Sequence, residues 1–336
     1  DENDIFVPFE IPDLHKALKP TNHILLDDGQ IEMEVQSIDG ERIEAVVTLG
    51  GTLKSNKGVN LPGANLTIPI FTEKDHEDLK FGLENDVDMV AISFVKTADD
   101  IITVRNAIKE LAPNERAKQT PIIAKLERPE ALEDLEEIMK VTNGVMVARG
   151  DLGVEMSPAA VPIAQKEIIA CANAHAKLVI TATQMLDSMI NNPRPTRAEA
   201  TDVANAVFDG TDAVMLSGET AAGKYPIESV KMMTSIIKTA EKNLSKWGNT
   251  SFETEMADQS DPISITRAAR ELAKDRNVAA VVVFTQSGRT ARLMSKTRPD
   301  VPILAFTPEL RTYRQMSLYW GVTPLLVPYA DTLLSL

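Results

Sequence analysis

Five short apolar runs recur through the middle of the chain, at residues 88–94, 121–126, 144–148, 178–182 and 212–216. Between them lie segments of helical period, such as 99–111, 129–139 and 164–176. Strands alternating with helices specify an α/β fold with a parallel sheet. Spacings of roughly 25–35 residues suit βαβ units. The polar residues fall at the ends of these runs: Ser93, then Lys125 and Glu127, Arg149 and Asp151, Thr183 and Gln184, Ser217 and Glu219. A (β/α)8 barrel keeps its chemistry at the C-terminal ends of its strands. A doubly wound sheet does so only at a switch point, so five consecutive polar ends favour the closed ring. Such a ring needs eight strands, and the other three are expected ahead of residue 1.

The flanking regions differ. Residues 1–62 read as a small β domain. A strand near residues 23–26 runs into an Asp27-Asp28-Gly29 turn; Ile31, Met33 and Val35 alternate with Glu32 and Glu34; a second turn at 38–41 precedes a strand over 43–49. The barrel region covers 63–246, opening with a helix near 73–85. A polar linker over 247–261 begins a third, α/β region, 247–336. It reads as helix 263–275, strand 278–284, a loop 285–290 entering a helix, and strands 303–306 and 322–327, unfinished at Leu336. Aromatic residues make up only 4% of the chain, so the cores must be aliphatic. No stretch reaches the roughly 18 apolar residues of a membrane helix, and the acidic start Asp1-Glu2-Asn3-Asp4 has no signal-peptide pattern. The one cysteine, Cys171, excludes an internal disulfide and fits a reducing compartment. A net charge of -14 argues against nucleic acid or an anionic membrane as partner. Any phosphate site must therefore build its own positive field.

Glu127 and Asp151 end successive parallel strands, which lie about 4.8 Å apart. Two carboxylates so placed, with substrate oxygens and water, suit Mg²⁺ or Mn²⁺; the plainer alternative is a pair of solvated acids. Lys125 stands two residues before Glu127 and shares its strand face. Together they make a clamp for a phosphoryl group, or else a surface ion pair. Gly150 and Gly153, flanking Asp151 after Arg149, let backbone N–H groups approach an anion, or form an ordinary tight turn. Thr183 carries a hydroxyl able to relay a proton, or merely ends a strand. Residues 217–220 read as an N-cap motif. The proline-stiffened loop 192–199 offers Arg194 and Arg197 to a partner surface or an anion. Thr285, Ser287, Gly288, Arg289 and Thr290 follow a strand and enter a helix, as a phosphate cradle does. Asp27, Asp28 and Lys57 pass as surface charges. None of the four histidines shows metal-ligand spacing.

Five longer strings, residues 57–63, 146–153, 181–186, 192–199 and 215–220, succeed one another in a way that resembles the pyruvate kinase family. The resemblance spans essentially the whole chain. It implies a (β/α)8 TIM barrel, of which about five βα units are present, a small β-barrel lid domain inserted after the third strand, and a C-terminal α/β domain. It implies phosphoryl transfer from phosphoenolpyruvate to ADP, giving pyruvate and ATP in glycolysis. On that reading Glu127 and Asp151 hold Mg²⁺, Lys125 stabilises the phosphoryl group, and the backbone at Gly150 and Asp151 with Thr183 holds the substrate carboxylate. Thr183 also lies where a proton must reach the enolate. Lys57 approaches the nucleotide phosphates, Ser93 lines the nucleotide side, and Ser217 and Glu219 complete the pocket wall. The Arg194–Arg197 loop resembles a homotetramer-interface element, and residues 285–290 a sugar-phosphate effector loop. A cytoplasmic or plastid-stromal location is also implied.

The family usually reads Lys-Ile-Glu-Asn where this chain has Lys125-Leu126-Glu127-Arg128, so Arg128 adds a charge near the metal. The family's phosphate-binding arginine and most of its K⁺ ligands belong to barrel segments absent from this chain, and the rest of the effector pocket lies past Leu336. Two alternatives stand beside the kinase. One is a Mg²⁺-dependent lyase or aldolase acting on a 2-oxo acid, which has no need of a nucleotide lid. The other is a non-catalytic sugar-phosphate-binding regulator built on residues 285–290.

Overall fold

A computed structural model describes residues 6–9, 11, 13–27, 29–55, 57–63, 70–248 and 261–329. The acidic start at 1–4, Asp28 and most of the expected linker, 249–260, lie outside the described residues.

The N-terminal region is an antiparallel sheet of β1 (His23–Leu26), β2 (Ile31–Asp39), β3 (Arg42–Leu49) and β4 (Val59–Asn60), in the order β3-β2-β1-β4. Alternation places Ile24, Leu26, Ile31 and Val35 on one face, packed against Leu14, Leu18 and Leu61. Gly40 takes the positive φ (58°) that the tight turn between β2 and β3 requires.

The central region is a parallel sheet of β5 (Val90–Ile92), β6 (Ile122–Leu126), β7 (Gly144–Ala148), β8 (Leu178–Ala182) and β9 (Ala213–Val214), paired in chain order. Helices lie between and beyond them: α1 (Glu73–Glu84), α2 (Ala98–Leu111), α3 (Leu135–Val141), α4 (Arg149–Glu155), α5 (Val161–Ala174), α6 (Arg197–Asp209) and α7 (Pro226–Glu241). β7 and β8 are buried along their whole length. One face of the sheet (Ile122, Ala124, Val145, Val147, Val179) packs on Ile101, Ile108, Ile138 and Ile168. The other (Ile123, Met146, Ile180) forms a second cluster with Leu178 and Ala182. Burial on both faces explains the near-continuous apolar runs.

Two expectations change in detail. The run 88–94 yields only three strand residues, because Phe94 turns out of the strand with φ 57°. The single helix expected over 129–139 divides into a turn, Glu130–Glu133, and α3. Asp134 stands at the break and uses its carboxylate to accept the Ala98 N–H at 2.7 Å.

The C-terminal region has α8 (Asp261–Asp275), β10 (Val281–Phe284), α9 (Arg289–Lys296), β11 (Ile303–Thr307), α10 (Leu310–Met316) and β12 (Val322–Leu326), with a parallel sheet in the order β10-β11-β12. It docks on the central region by cations. Buried Lys296 and Arg298 both reach Asp212, just ahead of β9, at 2.5 and 2.9 Å. Arg311 donates to the Val87 and Arg116 carbonyls and to Thr120 Oγ1. Arg298 also lies over the Trp320 ring, 4.8 Å from its centroid. Among the described residues no helix is long and apolar enough to cross a membrane.

Two predictions follow from this packing. A Cβ on Gly144 would stand 2.8 Å from the Leu178 carbonyl and 2.9 Å from Ile123. Gly144→Ala should therefore destabilise by about 1–3 kcal/mol, seen as a lowered denaturant midpoint; an unchanged midpoint would contradict this packing. Lys177 donates to the Thr142 carbonyl at 2.8 Å. Burial, then Arg292 and Arg105, lower its pKa from 10.5 to about 8. Between those two values the unfolded chain holds a proton that the folded chain has released, so this site makes unfolding costlier as pH rises. The stability of the parent relative to Lys177→Met should rise from about pH 8 to 10; a difference independent of pH would contradict it.

Candidate active site

Lys125 and Glu127 meet as their shared strand face requires. The Glu127 side chain is 1% exposed, and Lys125 Nζ approaches its Oε1 at 2.6 Å. Oε2 accepts the Phe94 N–H at 2.6 Å, across from the end of β5. Lys125 Nζ also donates to Ser93 Oγ at 2.8 Å. The approach to Oε1 is an ion pair without the alignment of a hydrogen bond, so this buried oxygen has no hydrogen-bonded donor among the described residues. The Lys125 ammonium supplies the positive charge beside this oxygen, and carboxylate oxygens at this strand end have the donor chemistry that suits a hard divalent ion.

Asp151 lies in the first turn of α4, which starts immediately after β7, the neighbour of β6. The residue is half-buried. Gly150 N–H donates to Thr183 Oγ1 at 2.7 Å, and that hydroxyl donates to the Ala182 carbonyl at 2.7 Å. In this structure the Gly150 N–H, expected to help hold a substrate carboxylate, is taken by the Thr183 hydroxyl. Thr183 and Gln184 hold φ of 67° and 52°. A β-branched residue in that region is strained and needs its surroundings to keep it there.

Arg149 supplies that support, a role not legible from its position at a strand end. Its side chain is 9% exposed and pairs with Asp202 at 2.6 Å. It donates to the Thr183 carbonyl at 2.8 Å and to the Ala182 carbonyl at 3.3 Å.

Glu219 is also placed otherwise than expected. It is 2% exposed, and its two oxygens accept the Leu186 and Ser217 N–H groups at 3.0 and 2.8 Å. It ties the loop after β9 to the loop after β8 instead of walling a pocket. Ser217 precedes the helical turn Gly218–Ala221, but its hydroxyl makes no capping bond. Nearby Asp187 has its carboxyl pKa raised by burial, then by Glu219 and Glu199. In the loop 192–199, Thr196 caps α6 in a reciprocal box with Glu199. Glu199 also accepts the Ser188 N–H at 2.7 Å. Arg194 and Arg197 are exposed.

Lys57 stays in the β domain, paired with Asp27 at 2.6 Å. The charge added by Arg128 is met by Glu130 at 3.3 Å and Glu155 at 3.5 Å. Glu155 in turn accepts from Asn60 of β4 at 3.3 Å, so this triad joins the β domain to the central sheet. A cavity of about 740 Å³ opens there, lined among others by Asn60, Ser93, Phe94, Arg128 and Glu155.

The loop 285–290 is remote in sequence and belongs to the C-terminal sheet. Thr285 Oγ1 accepts the Gly288 N–H at 2.9 Å, with Gly288 at φ 77°. Ser287, Arg289 and Thr290 are exposed. The absence of metal-ligand spacing among the histidines is corrected: His175 stands one helical turn after Cys171, beside Glu136.

Arg149→Met removes the donors to two carbonyls in the strained segment. It should cost about 1–3 kcal/mol of stability, measured by denaturant titration. Stability equal to the parent's would mean that Thr183 is held by other contacts.

Comparison with known proteins gives the geometry its family. The model of "Pyruvate kinase, barrel domain" matches residues 1–230, and that of "Pyruvate kinase, alpha/beta domain" matches 263–335. Pyruvate kinase 2 of Synechocystis is 49% identical over 306 residues, 90% of this chain and 50% of that protein. Pyruvate kinase of Clostridium perfringens is 46% identical over 286 residues, 83% of this chain and 58% of its own. Pyruvate kinase of Clostridium acetobutylicum is 44% identical over 316 residues, covering 94% of this chain and 66% of its own. The chain thus spans half to two thirds of the length of these relatives. Both domain models match in chain order, and together they cover most of the sequence: the chain belongs to the pyruvate kinase family.

Proposed function

We propose that the protein transfers the phosphoryl group of phosphoenolpyruvate to ADP, giving pyruvate and ATP. The observation that carries the reading is Glu127 Oε1: a buried carboxylate oxygen without a hydrogen-bonded donor, beside Lys125, at a barrel strand end. Glu127 and Asp151 would hold Mg²⁺ or Mn²⁺, which when bound neutralises charge on the substrate and on the group in transfer. K⁺ is proposed by family membership alone.

The remaining steps belong to the chain's own side chains. The Lys125 ammonium has three N–H donors. One goes to Ser93, one direction faces Glu127, and the third is left for a phosphoryl oxygen. The P–O bond to the enol oxygen breaks, and a β-phosphate oxygen of ADP bonds to phosphorus. The released enolate gains a proton at its methylene carbon, and Thr183 is the hydroxyl placed to relay it. A substrate carboxylate would take over the Gly150 N–H and free that hydroxyl for the relay. Arg149 keeps the segment in place. Ser93 and the cavity beside it form the nucleotide side, with Lys57 brought to the phosphates by movement of the β domain. Exclusion of water would make ADP the acceptor. Exposed Arg194 and Arg197 suit a tetramer interface, and Ser287, Arg289 and Thr290 a sugar-phosphate effector. Family membership and the inserted β domain speak against the 2-oxo acid lyase.

The test is pyruvate formation from phosphoenolpyruvate and ADP with Mg²⁺, in the full-length enzyme and its Glu127→Gln variant. Loss of one preorganised charged group predicts a fall in kcat of about 10²–10³-fold, with the far-ultraviolet dichroism unchanged. Turnover at the parental rate in Glu127→Gln would overturn the assignment.

A further inference from the structure

On the outer layer of the barrel, α3 and α5 bring together three side chains that the proposed reaction does not use. Cys171 and His175 are four residues apart at the end of α5 and share one face. Glu136 reaches them from the first turn of α3. Cys171 Sγ lies 3.4 Å from Glu136 Oε1, and His175 Nε2 lies 3.2 Å from Glu136 Oε2. One ligating atom from each falls within 4.8 Å of the other two. His175 Nδ1 is 3.0 Å from the Cys171 carbonyl oxygen. A carbonyl only accepts, so Nδ1 carries the proton of that bond. This orients the ring with Nε2 toward the cluster, as the outer hydrogen bond of a metal-bound histidine does.

We propose that Cys171, His175 and Glu136 form a binding site for a thiophilic divalent cation of the Zn²⁺ type, separate from the Glu127–Asp151 site. Tetrahedral Zn²⁺ with bonds of about 2.3 Å to sulfur and about 2.0–2.2 Å to nitrogen and oxygen sets its ligand atoms roughly 3.3–3.6 Å apart. Cys171 and His175 now meet different oxygens of Glu136, and Sγ lies 3.8 Å from His175 Nδ1. Binding therefore requires the exposed Glu136 carboxylate to turn and the imidazole to close on the thiol from within the 4.8 Å that separates the ligating atoms. On binding, the thiol proton leaves to solvent as the metal–sulfur bond forms, and any proton on Nε2 leaves with it. A thiolate and a carboxylate then balance the two positive charges. Three protein ligands leave a fourth position for water. Glu136 is exposed, which gives the ion an entry path. Sulfur and imidazole select against Mg²⁺, which demands oxygen ligands, so the two sites do not compete for one metal. The bound ion would staple α3 to α5, the helices that lead into β7 and β8, whose far ends carry Asp151 and Thr183.

The experiment is a Co²⁺ titration of the full-length, chelator-stripped protein. The expected result is a thiolate-to-cobalt charge-transfer absorption that saturates at one ion per chain. It should be displaced by Zn²⁺, unaffected by excess Mg²⁺ and absent in Cys171→Ser. In His175→Gln the Zn²⁺ affinity should fall by about tenfold or more. Zn²⁺ should raise the unfolding temperature of the parent by more than that of either variant at the same concentration. Should Cys171→Ser fold poorly, His175→Gln at the helix end carries the test alone. No Cys171-dependent absorption, or equal Zn²⁺ affinity in parent and His175→Gln, overturns the proposal.

Discussion

The structure turns on one buried ion pair within a single strand. Lys125 and Glu127 stand on the same face of the β6 end, and Glu127 is withdrawn from solvent. A buried carboxylate is tolerated only when it is paired and hydrogen-bonded. Here Lys125 supplies the charge and the Phe94 N–H supplies the hydrogen bond. That N–H points at Glu127 because Phe94 leaves β5 with a positive φ. The neighbouring strand is thus bent to serve the pair. The oxygen that faces Lys125 meets it as an ion pair and has no hydrogen-bonded donor among the described residues.

A second strained segment stands two strands away. Thr183 and Gln184 continue β8 in the left-handed region, where a threonine would not stay unaided. Arg149, from the end of β7, accepts the task by donating to carbonyls on both sides of the bend. Glu219 performs a similar service one strand further on, fixing Leu186 by its N–H. The ends of β5 and β8 are therefore held by charged side chains from neighbouring strand ends. Parallel neighbours make this possible, because they deliver consecutive strand ends to the same edge of the sheet.

The sequence made the scaffold and the acids at its strand ends readable. β7 and β8 have the bounds that their apolar runs suggest, since both faces of those strands are buried and no polar alternation blurs the ends. β5 and β9 are shorter than their runs. Lys125 and Glu127 were legible because a two-residue spacing fixes a strand face. The hydrogen-bond partners of Glu219 and of the Gly150 N–H were not legible, for another reason. A residue type at a strand end says nothing of whether its polar atoms face the cleft or are consumed by backbone groups. Positive φ at Phe94 and Thr183 has no sequence signal, so the Phe94 N–H and the supporting role of Arg149 were out of reach. The Cys171–His175 pair was in reach, since a four-residue spacing on a helix places both on one face.

On the proposed reading, Glu127 and Asp151 hold one divalent cation between them. The most direct test is Mn²⁺ affinity, read by electron paramagnetic resonance of free Mn²⁺, in the full-length protein and in Glu127→Gln and Asp151→Asn. Affinity lower by about tenfold or more in both variants, with the fold intact, is the predicted result. Mn²⁺ binding equal to the parent's in Glu127→Gln would show that Glu127 is not a ligand.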